Sequence, residues 1–286
     1  MESRAAATVG EALPAAVDAI AAAGVETARL DAELLLCEAT GWDRARIAAD
    51  PDLRLPVGSS RRFSEMVRRR VRREPVAYIR GRREFRRIEL LVDRRVLIPR
   101  PETELLVEAA LELSPRSVLD VGTGSGAIAL AIADELPNAT VIGIDTSAGA
   151  LRVAQANVER LGFEDRVELV LRGINSVGDG PRDGEVDLLL ANLPYVSESD
   201  WTGLEPEIRE YEPREALVAG ESGFEAIELL LGRVAGLGRR PPAIALEVGV
   251  GQCDRVAELV RGSGYARTDV RADLAGIERV VIGRGR

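Results

Sequence analysis

SVLDVGTGSG, residues 117–126, joins an apolar strand to a glycine-rich loop, and the overlapping run GAIALAIADEL is typical of a helix. Glycines let a backbone turn sharply and approach a ligand closely. Their spacing here is Gly-x-Gly-x-Gly rather than the Gly-x-Gly-x-x-Gly of a pyrophosphate loop, and no lysine is near to bind phosphate. The alternative is a plain tight turn between a strand and a helix. We predict that the loop holds a cofactor through Gly122, Thr123, Gly124, Ser125 and Gly126.

Strand and helix patterns alternate on both sides of this loop. Strands are predicted at ATVIGID, RVELVL, VDLLLAN, AIALEV, YARTDVR and ERVVIG. Helices are predicted at TELLVEAALEL, AGALRVAQANVERLG, FEAIELLLGRVAGL and about residues 253–261. Near-continuous apolar strands separated by helices imply a parallel sheet covered on both faces. From residue 103 to residue 286 we therefore predict an α/β domain with a doubly wound, Rossmann-like sheet, whose ligands bind at the carboxyl ends of the strands.

Asp145 ends the strand ATVIGID, about 20 residues after the glycines, where nucleotide-binding folds place an acid. Its carboxylate is expected to accept hydrogen bonds from two ribose hydroxyls, and it would repel a 2'-phosphate. A cofactor with a free ribose and no phosphate fits, and S-adenosylmethionine meets both conditions. The alternative for Asp145 is a helix N-cap before Thr146.

The tetrapeptide Asn192-Leu193-Pro194-Tyr195 closes the strand VDLLLAN. A residue that precedes proline avoids the helical region, so this segment is extended. The Asn192 side-chain oxygen and the Leu193 carbonyl can then bind both hydrogens of one NH2 group beside the cofactor, with Tyr195 stacked on the flat group that carries it. We predict that Asn192, Pro194 and Tyr195 are catalytic, that Asn192 also borders the cofactor, and that alignment and polarisation replace a general base. A plain strand-ending turn is the alternative.

Residues 1–75 show helical spacing of apolar residues. One helix face is predicted at Val9, Leu13, Val17 and Ile20, a second at Leu30, Leu34 and Leu35 with Thr27 as N-cap, and a third at Phe63, Met66 and Val67 after Ser59 or Ser60. From residue 76 to residue 102 the runs EFRRIEL and LVDRRVLI alternate like two strands. We therefore predict a small helical domain followed by a strand-pair linker.

Composition excludes several kinds of site. The chain lacks histidine, and all 38 of its basic residues are arginine, which rules out a Ser-His couple, a Schiff-base lysine and a Walker-type lysine. Cys37 and Cys253 are too few for a structural zinc, so no metal is predicted, and both are expected to be reduced thiols of a cytoplasmic protein. No apolar run reaches the ~20 residues that span a bilayer, and the Ala-rich start lacks the basic region of a signal peptide.

Charge is unevenly distributed. The formal net charge is -9, yet residues 61–100 hold 15 arginines against 5 acids. This stretch is the part of the chain suited to contact RNA or an RNA-associated protein. The alternative is a solvated helix in a chain whose genome favours arginine codons.

Several segments together resemble one family. LIPRPETELLVE (residues 97–108), DVGTGSGAIALA, ANLPYV and YEPREALVAGESG are similar to the peptide chain release factor glutamine methyltransferases of the HemK/PrmC type. The helical start, with ARLDAELLL, and the segment REPVAYIRGRREF resemble that family as well. The resemblance implies a helical substrate-recognition domain, a β-hairpin linker and a class I S-adenosylmethionine-dependent methyltransferase domain. It also implies N5-methylation of the glutamine in the Gly-Gly-Gln motif of release factors, which would be the protein partners.

Site residues follow from the same resemblance. Gly122, Gly124, Gly126 and Asp145 would bind the cofactor, Asn192 to Tyr195 would grip the glutamine amide, and Arg100 and Glu102 lie in a shared segment near the substrate. The family usually has proline where this chain has Leu193, and Asn-Leu-Pro-Tyr also resembles the motif of rRNA adenine dimethyltransferases. After RVELVL the family commonly has an acidic or aromatic residue that meets the adenine, and the resemblance implies that Asn175 takes its place by hydrogen bonding. Two alternatives therefore stand: an adenine-N6 methyltransferase acting on RNA or DNA, and a binding module that kept the fold without the chemistry.

Overall fold

The computed structural model describes residues 7–180 and 185–285. Internal contacts divide the chain into two compact units. The first runs to Gly81 and includes the later segment Glu205–Tyr211, and the second comprises Arg82–Leu204 and the chain from Glu212 onward. The domain boundaries predicted at residues 75 and 102 remain a prediction.

The second unit is built on a seven-stranded sheet, which forms because apolar runs alternate their side chains between two buried faces. In space the strands run β10-β11-β9-β6-β3-β4-β5. The neighbouring pairs from β9 to β5 are parallel, and β11 is antiparallel to both β9 and β10. The strands are β3 (Ser117–Val121), β4 (Thr140–Asp145), β5 (Val167–Leu171), β6 (Leu188–Ala191), β9 (Ala243–Glu247), β10 (Arg267–Ala272) and β11 (Glu278–Arg284).

Helices cover both faces of this sheet. The principal helices are α6 (Glu104–Leu113), α7 (Ala127–Glu135), α8 (Ala148–Leu161), α11 (Glu225–Ala235) and α12 (Cys253–Gly262). Alternate residues of β6 enter two separate cores: Leu188 and Leu190 pack with residues of α6 and α7, whereas Leu189 and Ala191 pack with residues of α11 and α12. The second unit also contains a short helix, α9 (Glu198–Trp201), and a separate parallel pair of strands, β7 (Val196–Ser197) and β8 (Val218–Gly220). The predicted doubly wound α/β fold is confirmed.

A β-hairpin opens the second unit, but the predicted second strand is wrong. The strands are β1 (Arg82–Phe85) and β2 (Ile88–Leu91), so the turn falls inside the run EFRRIEL, with Arg86 in the left-handed region at φ 51°. The run LVDRRVLI forms no strand beyond Leu91. There Asp93 closes a turn, because its carboxylate accepts from the Arg95 backbone N–H at 3.0 Å and its carbonyl accepts from the Val96 N–H.

The first unit is helical. Its helices are α1 (Val9–Ala22), α2 (Ala28–Thr40), α3 (Arg44–Ala49), α4 (Ser59–Val71), α5 (Val76–Arg80) and, from the later segment, α10 (Pro206–Tyr211). A capping box between Thr8 and Glu11 starts α1, since each side chain accepts from the backbone N–H of the other. None of the helices in the part of the chain that the structure describes combines the length and apolar character needed to span a membrane.

The predicted face of α2 needs correction. Leu30 is 42% exposed, and the buried face is instead Ala28, Asp31, Ala32, Leu35, Leu36 and Ala39. Thr27 occupies the N-cap position without capping a backbone N–H, because its hydroxyl donates to the Asp31 carboxylate at 3.0 Å. The prediction counted only apolar residues as buried, so it could not include Asp31, a charged residue on the buried face of α2.

Asp31 is buried because it binds an arginine. Arg70 Nε lies 2.6 Å from Asp31 Oδ2, and Arg70 Nη2 lies 2.9 Å from Glu207 Oε1, with all three residues largely buried. Arg73 Nη2 contacts the other Glu207 oxygen at 2.5 Å, and the Tyr211 hydroxyl donates to the Arg72 carbonyl. These pairs hold the segment Glu205–Tyr211 within the helical unit.

Candidate active site

A cavity opens at the carboxyl ends of β3, β4 and β6, the edge where a doubly wound sheet binds ligands. Six of the residues predicted from the sequence line it: Gly122, Gly124, Asp145, Asn192, Leu193 and Pro194. The remaining lining residues are Arg95, Val96, Leu97, Val121, Thr146, Ser147, Ala150, Arg172, Gly173, Ile174, Pro213, Glu215, Ala216 and Ala226. All of them belong to the second unit.

The glycine loop forms one wall of the cavity. Gly122 and Gly124 have φ of 78° and 57°, a left-handed backbone conformation that residues other than glycine adopt only at a cost in free energy. The N–H groups of Gly122 and Thr123 both donate to the Ile144 carbonyl, which ties the loop to β4. A side chain at Gly122 would begin 3.3 Å from Leu193 Cδ2. The loop therefore presents bare backbone to any ligand in the cavity.

The structure does not place Thr123, Ser125 and Gly126 on the cavity wall. Thr123 is buried, and its hydroxyl donates to Asp120 Oδ2 at 2.6 Å. The Ser125 carbonyl accepts from Asn157 Nδ2, and a side chain at Gly126 would begin 3.0 Å from Leu130 Cδ1. These three residues therefore contact the protein interior and support the loop without lining the cavity. Burial, with a contribution from the nearby Asp145 charge, raises the pKa of Asp120 to about 7.

Asp145 lies at the cavity and binds two backbone N–H groups. Its Oδ2 accepts from Gly124 N at 2.9 Å and its Oδ1 accepts from Ser147 N at 2.8 Å. The cap of α8 is Ser147, whose hydroxyl oxygen accepts from Ala150 N, so the alternative of Asp145 as the helix N-cap is not what the structure shows. A carboxylate has about four lone-pair sites, which leaves Asp145 able to accept further hydrogen bonds.

Asn175, predicted to meet the adenine, is exposed and does not line the cavity. Its neighbours Arg172, Gly173 and Ile174 do. Ile174 packs against the sheet core and offers an apolar surface at this end of the cavity. The sequence predicted a contact from the polar Asn175, whereas the apolar Ile174 beside it is the residue that lines the cavity.

Asn192 is half-buried, and a hydrogen bond orients its amide. Its Nδ2 donates to Thr103 Oγ1 at 3.0 Å, and no described residue donates to its Oδ1. The Leu193 carbonyl likewise accepts no hydrogen bond from any described residue. Two consecutive residues that line the cavity therefore carry oxygens available as acceptors. Thr103, which was missed in the sequence, sits at the end of a short 3₁₀ turn, Pro101–Thr103, that leads into α6.

Tyr195 is half-buried and is not on the cavity wall. Its carbonyl accepts from Gln252 Nε2 at 3.1 Å, and a side chain at Gly249 would begin 3.2 Å from its Cδ2. Burial, and then the charge of Glu247, raises the pKa of Tyr195 to about 12. The phenol therefore stays protonated near neutral pH and cannot act as a base.

Arg100 and Glu102 also lie off the cavity wall. The Arg100 guanidinium pairs with Glu212, whose other oxygen accepts from Ile98 N at 3.0 Å. Glu212 is buried and belongs to the YEPREA segment, and the next residues Pro213, Glu215 and Ala216 line the cavity. Arg100 thus holds this segment in place, and Glu212 is a residue that the sequence reasoning did not single out.

We expect the variant Glu212→Ala to lower the free energy of unfolding by about 2 kcal/mol, because a buried backbone N–H and a guanidinium lose a charged partner. Chemical denaturation of the variant beside Glu210→Ala, an exposed neighbour, measures the effect. A loss equal to that of the control would show that the Arg100–Glu212 pair contributes nothing.

Comparisons with known proteins match both parts of the chain. The family described as PrmC N-terminal domain matches residues 11–81, and the family described as methyltransferase domain matches residues 118–211. The catalytic domain of hMettl16, solved in complex with a MAT2A 3'UTR hairpin, aligns with a TM-score of 0.56 at 15% identity, covering 69% of this chain and 76% of that chain. At that identity the match supports the fold alone.

Curated relatives are similar over nearly the full length. The release factor glutamine methyltransferase of Geobacter sulfurreducens is 39% identical over 267 residues, covering 93% of this chain and 92% of that protein. The protein of the same name from Moorella thermoacetica is 40% identical over 284 residues, covering 95% and 96%. With the cavity, the glycine loop and the Asn-Leu-Pro-Tyr motif at one sheet edge, these matches show that the chain belongs to the release factor glutamine methyltransferase family.

Proposed function

We propose that this protein transfers a methyl group from S-adenosylmethionine to the side-chain amide nitrogen, N5, of the glutamine in the Gly-Gly-Gln motif of peptide chain release factors. The observation that carries the proposal is that two consecutive residues lining the cavity, Asn192 and Leu193, each have an oxygen, Oδ1 and the backbone carbonyl, that accepts from no described residue. Two neighbouring acceptors match the two hydrogens of one NH2 group. The names of the curated relatives support a release factor as the protein that carries it.

S-adenosylmethionine is the cofactor, and the cavity fits it on two points. Gly122 and Gly124 present backbone without side chains, which suits the close approach of an amino acid end. Asp145 faces the same cavity with lone pairs to spare for ribose hydroxyls. Thr146 and Ile174 add surface on the side expected to meet the adenine. When bound, S-adenosylmethionine supplies an electrophilic methyl carbon on a sulfonium.

The chain's own residues then bind, orient and polarise the acceptor. An amide nitrogen is a poor nucleophile because its lone pair is delocalised, so alignment must supply much of the rate. Asn192 Oδ1 and the Leu193 carbonyl are proposed to hold its two hydrogens, and they stabilise the positive charge that the nitrogen gains as its N–C bond forms and the C–S electron pair leaves with the sulfur. One of the two hydrogens then leaves the methylated nitrogen as a proton taken up by water. Pro194 keeps the segment extended. Tyr195 follows Pro194 and lies just off the cavity wall, and its ring is proposed to contact the flat amide once the substrate is bound.

The alternative of an adenine-N6 methyltransferase is less well supported. A nucleic-acid surface needs arginines that are available to phosphates. Most arginines of residues 61–100 form ion pairs inside their own unit, which offsets much of the local positive charge. The paired ones are Arg61, Arg62, Arg69, Arg70, Arg73, Arg80, Arg82, Arg86, Arg87, Arg95 and Arg100.

Mass spectrometry of a release factor incubated with the protein and isotopically labelled S-adenosylmethionine tests the proposal. We expect one labelled methyl group on the Gly-Gly-Gln glutamine. A release factor with that glutamine replaced by alanine is the matched control and should remain unlabelled. Label on RNA in the same mixture, with a steep loss on raising the salt concentration, would instead support the nucleic-acid alternative.

We propose that the protein acts in the cytoplasm. Cys37 and Cys253 are both free thiols. Reduced cysteines are typical of a reducing compartment. This supports the cytoplasm as the compartment in which the protein meets its substrate.

A further inference from the structure

A chain of three side chains leads away from the Asn192 amide into the protein. Asn192 Nδ2 donates to Thr103 Oγ1 at 3.0 Å, and the Glu247 carboxyl group lies near enough to the Thr103 hydroxyl for that hydroxyl to lower the Glu247 pKa. Thr103 and Glu247 are buried, at 4% and 2% exposure. Neither lines the cavity, so neither contacts a ligand there directly.

The sheet places the two ends of this chain side by side. Strands β6 and β9 are parallel neighbours, and their last register pair is Ala191 with Leu246. Asn192 directly follows the last residue of β6 and Glu247 is the last residue of β9, so the two lie at the same level of the sheet edge. Thr103 lies between them at the end of the Pro101–Thr103 turn. The contact is therefore a product of the fold rather than of a mobile loop.

We propose that Thr103 and Glu247 are positioning residues, which fix the Asn192 amide with its oxygen toward the acceptor nitrogen and make the rate depend on the charge of Glu247. This inference rests on the proposed function.

The direction of the hydrogen bonds carries the orientation. A hydroxyl has one hydrogen and two lone pairs, so Thr103 can accept from Asn192 while it donates its own hydrogen, and the adjacent Glu247 carboxyl group is the acceptor that we assign to that hydrogen. With the NH2 end of the Asn192 side chain engaged, Oδ1 is the end left for the substrate. Rotating the amide would turn its NH2 group toward the substrate NH2 group, and two donors would face each other.

Charge on Glu247 strengthens the same oxygen. Hydrogen bonds in a row polarise one another, so a negative carboxylate behind Thr103 pushes electron density through the hydroxyl and the NH2 group toward Asn192 Oδ1. That oxygen then becomes a better acceptor for a nitrogen that gains positive charge during transfer. A protonated Glu247 removes this effect, and its own hydrogen competes for the Thr103 oxygen.

Several groups around Glu247 set its titration. Burial raises its pKa to about 7, the Thr103 hydrogen bond lowers it, the Glu102 charge raises it, and Arg279 and Arg100 lower it. Its Oε2 is buried with no hydrogen-bond partner in the described part of the chain. The nearby Tyr195 stays neutral because its own pKa is about 12. The carboxyl group therefore becomes charged as the pH rises through about 7, and the rate is expected to rise with it.

Kinetics of matched variants test the relay. We expect Thr103→Val, which keeps the shape and removes the hydroxyl, to lower kcat by about tenfold, the loss of one hydrogen bond in a charged network. Thr103→Ser should recover most of that rate. The rise of kcat through pH 7 should disappear in Thr103→Val and in Glu247→Gln, while S-adenosylmethionine affinity stays unchanged in all three variants. Equal kcat and equal pH profiles in Thr103→Val and the wild type would overturn the proposal.

A second measurement does not depend on the methyl acceptor. In the proton–nitrogen correlation spectrum of the labelled full chain, the Asn192 NH2 signals are those that vanish in Asn192→Asp. We expect them to shift with a midpoint near pH 7 in the wild type and Thr103→Ser and to stay constant in Thr103→Val and Glu247→Gln. Signals that do not titrate in the wild type would sink the relay even if the release factor is methylated. Titrating signals without any methylation would refute the proposed function alone.

Discussion

Asn192→Ala is expected to lower kcat for methylation of a release factor by about 100-fold, the cost of one preorganised polar group that acts on developing charge. Asn192 supplies a side-chain oxygen that no described residue occupies, next to the Leu193 carbonyl at the cavity. Without it, the substrate amide keeps a single acceptor and can rotate away from the line of attack. Single-turnover rates at saturating cofactor and substrate measure the effect.

The matched control for Asn192→Ala is Gln155→Ala, which removes an exposed side-chain amide from α8. It should have the wild-type rate. S-adenosylmethionine affinity, measured by calorimetry, should stay close to wild type in both variants, because Asn192 is expected to act mainly on the substrate amide. A full rate in Asn192→Ala would remove Asn192 from the catalytic assignment.

Asp145→Ala is expected to have the opposite signature, with weaker S-adenosylmethionine binding by roughly 10- to 100-fold, corresponding to the loss of hydrogen bonds to a charged group. Asp145 lines the cavity, and its two oxygens also hold the N–H groups of Gly124 and Ser147. The substitution therefore removes the proposed ribose acceptor and also loosens the glycine loop. Calorimetric titration of the protein with S-adenosylmethionine measures the change.

Two further variants separate the causes of weaker binding by Asp145→Ala. Asp145→Asn keeps the shape and one acceptor oxygen, so its affinity should fall between those of the wild type and the alanine variant. Asp165→Ala removes an exposed carboxylate, and so makes the same change in net charge, and should bind normally. Normal binding by Asp145→Ala would show that the cofactor lies elsewhere in the cavity.

Local patterns in the sequence predicted the sheet and its helices well. Runs such as SVLDV and VDLLLA became buried strands because their apolar residues feed cores on both faces. The failures lie where a pattern had to be interrupted by long-range pairing or a tight turn. Leu30 resembled a core residue, but with the Asp31–Arg70 pair buried, the buried face of α2 lies one residue further along the helix. The short helices α3, α5 and α10 were missed because each is too brief to show a helical period.

The site was predictable to the extent that parallel strands gather their carboxyl ends. Gly122 and Asn192 each follow a strand, Asp145 ends one, and all three line the cavity. Their assigned roles in binding and catalysis remain predictions. The supporting partners were not predictable, because Thr103 and Asn192 lie 89 residues apart along the chain and Arg100 and Glu212 lie 112 apart. One signal was available: Glu247 is a charged residue ending an apolar strand, AIALE, beside the strand that leads to Asn192.

The helical unit is not one continuous stretch of sequence, since Glu205–Tyr211 returns to it after the Asn-Leu-Pro-Tyr motif. A chimera that exchanges the first 81 residues for those of a relative would separate Glu207 from Arg70 and Arg73, its native partners. Such a graft must carry the heptapeptide along, or it leaves a buried carboxylate without its cations. Recombination between relatives is thus expected to preserve the two stretches as a matched set, although more than 120 positions separate them in the chain.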